Sequence, residues 1–346
     1  MSATGIHALA LNGALALILL TLALVSLTIG PVELAVSEVA AALLPGKEAG
    51  SSAAGLSDVL VRQRAIVAEI RLPRVLLAIL VGMSLGMSGA ALQGLLRNPL
   101  AEPGLLGVSS SASLGAVLCL YFGIAQLNPW LLPATAMGCA ALATLVLYLI
   151  ARRGAGNLTL ILAGVALSAL ASALTSLAIN LAPNPTDVQD IVLWLLGSLA
   201  DRSFDDIRLC LPFVIAGLAL LGACGRELDA LSAGEDEAAS LGVNLARLRA
   251  QIIVGTALCV GASVAVTGAI GFVGLVVPHM LRRAVGFHPA RLLVSSALGG
   301  AVLVLAADIV LRMVSGGFEL MLGVVTALIG APFFFALVLR QRMGMA

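Results

Sequence analysis

Apolar runs of about 20 residues recur along almost the whole chain, each long enough to cross a hydrocarbon core of roughly 30 Å as a helix. Hydropathy divides them into ten segments: 7–29, 75–95, 105–124, 130–151, 158–181, 206–225, 251–270, 272–285, 292–311 and 322–339. Of the residues, 60% are hydrophobic and 11% charged, and the mean hydropathy is +1.11. No soluble fold buries so large an apolar fraction, so lipid is the solvent. Lipid leaves backbone N–H and C=O groups unpaired unless helices or closed barrels satisfy them. Strict apolar–polar alternation is absent, so the segments are helices. The expected fold class is an all-α polytopic membrane protein of about ten transmembrane helices, built as a single transmembrane domain over 1–346.

The eighth segment is short and broken by Pro278. A further apolar piece, Ile191 to Leu199, is too brief to span; it dips in and returns, or lies at the surface. Three stretches read as outside the membrane: 31–74, 182–190 and 226–249. The first apolar run, Ala8 to Ile29, has no Lys or Arg ahead of it and exceeds a signal-peptide core, so it reads as a retained helix.

An even helix count puts both termini on one side. With that side cytoplasmic, 11 of the 19 basic residues face inward, among them Arg97, Arg152, Arg153, Arg226, Arg282 and Arg283. The positive-inside rule supports this orientation. The net charge of +1 offers no basic patch for nucleic acid. The five cysteines lie singly in apolar stretches and read as small buried hydrophobes.

Few polar groups interrupt the helices. Gly82, Gly86, Gly89 and Gly94 place small residues at spacings that let backbones approach. Val81-Gly82 with Leu85, and Val254-Gly255 with Leu258, each precede a Gly-rich turn and a short helix; a duplicated architecture or chance similarity accounts for this echo equally. Asp308 sits inside the ninth run, where a charge costs about 2.5–3.5 kcal/mol on insertion scales. Arg312 lies one helical turn on. The two read as a coupling-ion site or a structural ion pair, and the lack of a second membrane carboxylate weighs toward the pair. His279 follows Pro278 beside Arg282 and Arg283. No HExxH, Ser-His-Asp grouping or carboxylate pair supports membrane enzymology.

The segment Gly234-Glu235-Asp236-Glu237-Ala238-Ala239-Ser240-Leu241-Gly242 has an acidic start, small residues, then Gly. Acidic residues favour a helix N-terminus and Gly commonly ends a helix. It reads as a short cytoplasmic helix, near 234–245, with a small face suited to a groove on another protein, or as an ordinary interhelix loop.

Five stretches carry a resemblance to a known family. They are Arg71-Leu72-Pro73-Arg74, Asn98 to Gly107 (NPLAEPGLLG), Gly268 to His279 (GAIGFVGLVVPH), Ala307-Asp308-Ile309-Val310, and Leu322 to Pro332 (LGVVTALIGAP). Together they resemble the FecCD-type permeases of ABC importers for iron-siderophores, haem and cobalamin. The resemblance implies the type II importer architecture in a bacterial inner membrane. It also implies a homodimer with a central pathway, two separate ATP-binding subunits and a periplasmic substrate-binding protein. It implies no cofactor in this chain, with ATP and Mg held by the partner ATPase. The nearest approach to a nucleotide-binding G-x-x-x-x-G-K-[ST] loop is Gly46-Lys47, where Ala41 replaces the first Gly and Glu48 the Ser/Thr.

By position the family's ATPase-docking helix corresponds to Gly234, Glu235, Ala238, Leu241 and Gly242. Arg71, Arg74 and Arg312 match arginines that engage acidic residues of the binding protein; a guanidinium takes a carboxylate bidentately. The stretch Val165 to Phe204 looks nearer the haem branch. Leu320-Met321-Leu322-Gly323 departs from the more usual Leu-Pro before the last helix. The expected function is an importer permease for haem or an iron-siderophore, without an ATPase site of its own. The alternatives are a cobalamin importer, an ion-coupled secondary transporter, which would need several membrane-embedded ionisable groups, and a scaffold or enzyme, which would need a catalytic cluster.

Overall fold

Backbone groups in lipid have no water to bond, and the chain answers with helices throughout. A computed structural model describes residues 3–32, 34–43, 61–153, 156–314 and 320–343; the Gly46-Lys47 region lies outside them. Among the described residues there is no strand. The helices are α1 (Ala3–Thr28), α2 (Val36–Leu43), α3 (Val61–Leu96), α4 (Val108–Tyr121), α5 (Leu131–Arg152), α6 (Asn157–Asn180), α7 (Pro185–Leu195), α8 (Phe204–Ala223), α9 (Gly225–Leu231), α10 (Glu235–Ser240), α11 (Leu245–Thr267), α12 (Val273–Leu281), α13 (Pro289–Val314) and α14 (Leu322–Met343). Seven are long and apolar enough to cross a membrane. Each of the ten hydropathy segments falls on a helix, and α4, α12 and α14 supply the three beyond those seven.

Three boundaries differ from the sequence expectation. The stretch 31–74 is not all loop, because α3 starts at Val61 and runs unbroken into the second span. Its charges stopped the hydropathy reading, yet they sit on helix. A π-helical stretch, Ile66–Arg71, precedes Pro73, whose ring and missing N–H are accommodated near this irregular turn. Stretch 182–190 turns helical at Pro185, a favoured first helical position, so the short apolar piece belongs to α7. Stretch 226–249 resolves into α9, α10 and the first turn of α11.

The core is built from α3, α11 and α13, and the most extensive contact joins α3 to α13. Glycine makes that contact. A methyl on Gly82 would overlap the Gly300 carbonyl oxygen, and one on Gly86 the Ser296 carbonyl oxygen. Without side chains between them the backbones gain dispersion contact, the main attraction available between helices in lipid. Outer helices are buried far less: α1 and α6 expose most of their length, with Leu9, Leu17, Leu158 and Leu162 all open. Buried hydroxyls bond their own helix, as Thr144 Oγ1 donates to the Ala140 carbonyl at 2.6 Å and Ser263 Oγ to Cys259 at 2.7 Å.

Two long helices are followed by irregular turns. α3 leads through 97–107 to the 14-residue α4, and α11 through 268–272 to the 9-residue α12. The turns meet: Pro103 packs on Gly274, and a methyl on Gly89 would overlap the Gly274 carbonyl oxygen.

Candidate functional site

The two ends of the bundle carry different chemistry. At one end α9 packs on α3 and α13: Leu228 covers Gly94, and the Ala290 N–H donates to Asp229 Oδ1 at 2.9 Å. α10 hangs from this platform. Gly234 precedes it at φ +145°, and Ala238 is buried beneath it.

Its C-terminus closes in a Schellman pattern. The Val243 N–H donates to the Ala238 carbonyl at 3.0 Å, the Gly242 N–H to Ala239 at 3.0 Å, and Gly242 takes φ +85°. Asn244 then caps α11, its Oδ1 accepting from the Arg247 N–H at 3.0 Å. At the other terminus Glu235 Oε1 meets Arg249 Nη2 at 2.9 Å. Arg249 is buried and Glu235 half-exposed, so the short helix is pinned to α11 at both its ends. Its outward side presents Asp236, Glu237, Ala239, Ser240, Leu241 and Gly242, with Leu241 73% exposed. Gly234, Glu235, Ala238, Leu241 and Gly242 therefore form one compact element, the first and third facing the bundle and the last two facing out. The Glu235–Arg249 pair was missed from sequence; a basic residue turned inward just beyond an acidic run was the available signal.

At the opposite end two arginines, Arg74 and Arg312, converge on one carboxylate, Asp308, and Arg71 turns to the end of α1. Arg74 grips Asp308 with Nε at 2.9 Å from Oδ1 and 3.2 Å from Oδ2, and with Nη2 at 2.7 Å from Oδ1. Arg312 Nε lies 3.1 Å from Asp308 Oδ2. Asp308 is 1% exposed. The expected Arg312 partner is present, and Arg74, 234 positions away in sequence, is an additional one.

Arg71 and Arg312 also hold α1. Arg71 Nη1 donates to the Leu27 carbonyl at 2.6 Å, and its Nη2 to Val32. Arg312 Nη1 donates to Ser26 at 3.0 Å and Ile29 at 2.8 Å, and its Nη2 to Ser26 Oγ. These are the carbonyls a helix C-terminus leaves unsatisfied, and cations suit them. Arg71 is buried and Arg312 largely covered, each turned to the end of α1, so both present little surface to a docking partner. Arg74 alone of the three keeps appreciable surface, at 19%. Asp308 is likewise saturated by two guanidinium groups and is not an open cation site.

Other polar residues stay local. Arg282 bonds Gln93 Oε1, while Gln93 Nε2 donates to the Gly274 carbonyl at 3.2 Å. Glu102 lies in the turn after α3, where burial pushes its pKa up. His279 stacks edge-on against Phe333 at 5.8 Å.

Family comparison decides what this arrangement belongs to. The FecCD transport family model matches residues 17–340. The chain belongs to that family. It is 43% identical over 285 residues to an ABC transporter permease, YvrB, of Bacillus subtilis, covering 81% of this chain and 80% of that one. It is 40% identical over 289 residues to the hemin transport system permease HmuU of Yersinia pestis, covering 79% and 83%. It is 41% identical over 280 residues to the vitamin B12 import permease BtuC of Salmonella schwarzengrund, covering 81% and 85%. A solved structure described as an inward-facing metal-chelate type ABC transporter superposes with TM-score 0.81 at 32% identity, covering 96% of this chain and 99% of that one. The protein is thus a multi-pass ABC transporter permease of the metal-chelate, haem or vitamin B12 importer type.

Proposed function

We propose that this permease works as a homodimer, moving haem, or an iron-siderophore, inward from a periplasmic binding protein, driven by two separate ATPase subunits. The observation that carries the reading is α10. It is a short helix pinned at both ends to a core helix, with Leu241 and Gly242 facing out. A lever so held passes displacement to α11 and, through the Asp229 cap, to α13. Nucleotide-driven closure of the ATPases would bias the bundle between two packed arrangements.

On this reading the α10 end faces the cytoplasm, and both chain termini with it. The Asp308 end then meets the binding protein, through Arg74 rather than through Arg71 or Arg312. The thinly buried apolar faces of α6 and α14 suit contact with a second copy. Haem is favoured over cobalamin by the resemblance of 165–204 alone, since the hemin and vitamin B12 relatives are equally similar.

The deciding experiment is reconstitution in vesicles with the cognate P-loop ATPase and binding protein, comparing uptake of haem, a ferric siderophore and cobalamin. Nucleotide-dependent accumulation of haem supports the proposal. Uptake that persists without nucleotide and collapses with an uncoupler overturns it in favour of ion coupling.

A further inference from the structure

The seam between α5, α8 and α11 holds two adjoining cavities that the transport reading does not use. The upper one, about 560 Å³, is lined partly by polar and partly by apolar residues and lies beside Trp194 of α7 and the chain from 201 to 206. Trp130, Trp194, Asp201, Arg202, Asp205 and Asp206 line it. Arg202 Nε and Trp194 Nε1 are buried there with no hydrogen-bond partner. Two unpartnered buried donors among the lining residues call for an acceptor, because a buried donor left unmade is costly. Burial lowers the pKa of Arg202, while nearby Asp206 and Asp201 oppose that shift, so acidic oxygens stand close to the same donor.

The lower cavity, about 370 Å³, is an apolar groove. Ala141, Thr144, Phe213, Leu258 and Gly261 line it, and Ala141 and Leu145 lie on its open side. The two cavities are consecutive on all three helices. Pro133 above is followed by Met137 below, Leu209 by Phe213, and Ala265 by Ala262, each step one helical turn. From Met137 to Tyr148 the groove runs about 16 Å along α5, at 1.5 Å per residue.

We infer that this seam binds one membrane phospholipid with an ethanolamine headgroup. Its phosphate accepts from Arg202 and Trp194, its ammonium donates to Asp201 and to the oxygens that Asp205 and Asp206 do not spend on Arg208 and Ser203, and one acyl chain lies in the groove below. The carboxylates discriminate against an anionic headgroup, and choline has no N–H to give them. Trp130 stands at the cavity mouth, 46% exposed, where an indole suits a membrane interface.

The chain's two tryptophans, Trp130 and Trp194, both line the upper cavity, so intrinsic fluorescence reads this site directly. The full chain, purified in detergent, is titrated with phosphatidylethanolamine brominated on its acyl chains. The expected result is saturable quenching, reversed by the unbrominated lipid, with half-saturation at least tenfold higher for the phosphatidylglycerol analogue. Arg202→Gln should raise half-saturation about tenfold. Ala141→Phe fills the exposed groove without touching the headgroup cavity and should do the same, which keeps the test decisive if Arg202→Gln fails to fold. Quenching that rises linearly, alike for every headgroup and for Ala141→Phe, would mean general lipid solvation and overturn the inference. Full reversal by inorganic phosphate or free phosphoethanolamine would mean a small-anion site and overturn it equally.

Discussion

The two ends of this bundle use arginine in opposite ways. At the α10 end Arg97, Arg152, Arg153, Arg226 and Arg247 are exposed. At the Asp308 end Arg71, Arg74 and Arg312 turn inward and are consumed by one carboxylate and the carbonyls closing α1. The same residue type stays at the surface at one end and ties three helices together at the other. A charge spent on internal ties is not available to a partner. The α10 end instead presents the exposed carboxylates Asp236 and Glu237, then Ala239, Ser240, Leu241 and Gly242, on a short helix held from behind by the buried Arg249.

Five variants test how far the ends differ. The largest effect is expected from Asp308→Ala, which leaves two arginines without their carboxylate. Removing one member of a buried pair costs about 3–5 kcal/mol, read as a large fall in thermal midpoint of the purified protein. The exchanged pair Arg74→Asp with Asp308→Arg should recover part of that stability while still weakening binding-protein association. Equal association would remove Arg74 from that surface. Next comes Gly86→Ala, whose methyl overlaps the Ser296 carbonyl oxygen and should cost about 1–3 kcal/mol. An unchanged midpoint would mean that α3 and α13 separate easily.

At the other end the stability effects shrink while the functional ones grow. Gly242→Val meets no neighbour but must hold φ +85°, a cost of roughly 1–2 kcal/mol confined to the end of α10. ATP hydrolysis by the assembled transporter should continue while uptake falls. Leu241→Glu, on an open surface, should change stability by no more than about 0.5 kcal/mol and uncouple transport at least as strongly. Normal uptake in Leu241→Glu would take α10 out of the ATPase contact.

Local chemistry was legible before the structure. The ten apolar segments, the acidic start and terminal Gly of α10, and the Asp308–Arg312 spacing of one turn all depend on neighbours in sequence. What stayed hidden depends on residues far apart. Arg74 meets Asp308 across 234 positions, and Arg312 meets Ser26 across 286. Hydropathy set 61–74 outside the membrane on the charges of Arg62, Arg64, Glu69, Arg71 and Arg74, and such a score does not reveal that the stretch is helix continuous with the second span. Two of those arginines have their charges turned into the fold by the helix itself. The lipid seam was equally unreadable, because three helices assemble it and no one of them carries a motif.

The clasp on α1 has a consequence for how the protein is made. The first helix leaves the ribosome early, yet the arginine that closes its end on α13 is synthesised nearly 300 residues later. Until then Arg71 can answer only the Leu27 and Val32 carbonyls, and those of Ser26 and Ile29 wait. A chain cut short before α13 would keep that end half closed, so the second clasp forms only once α13 is in place.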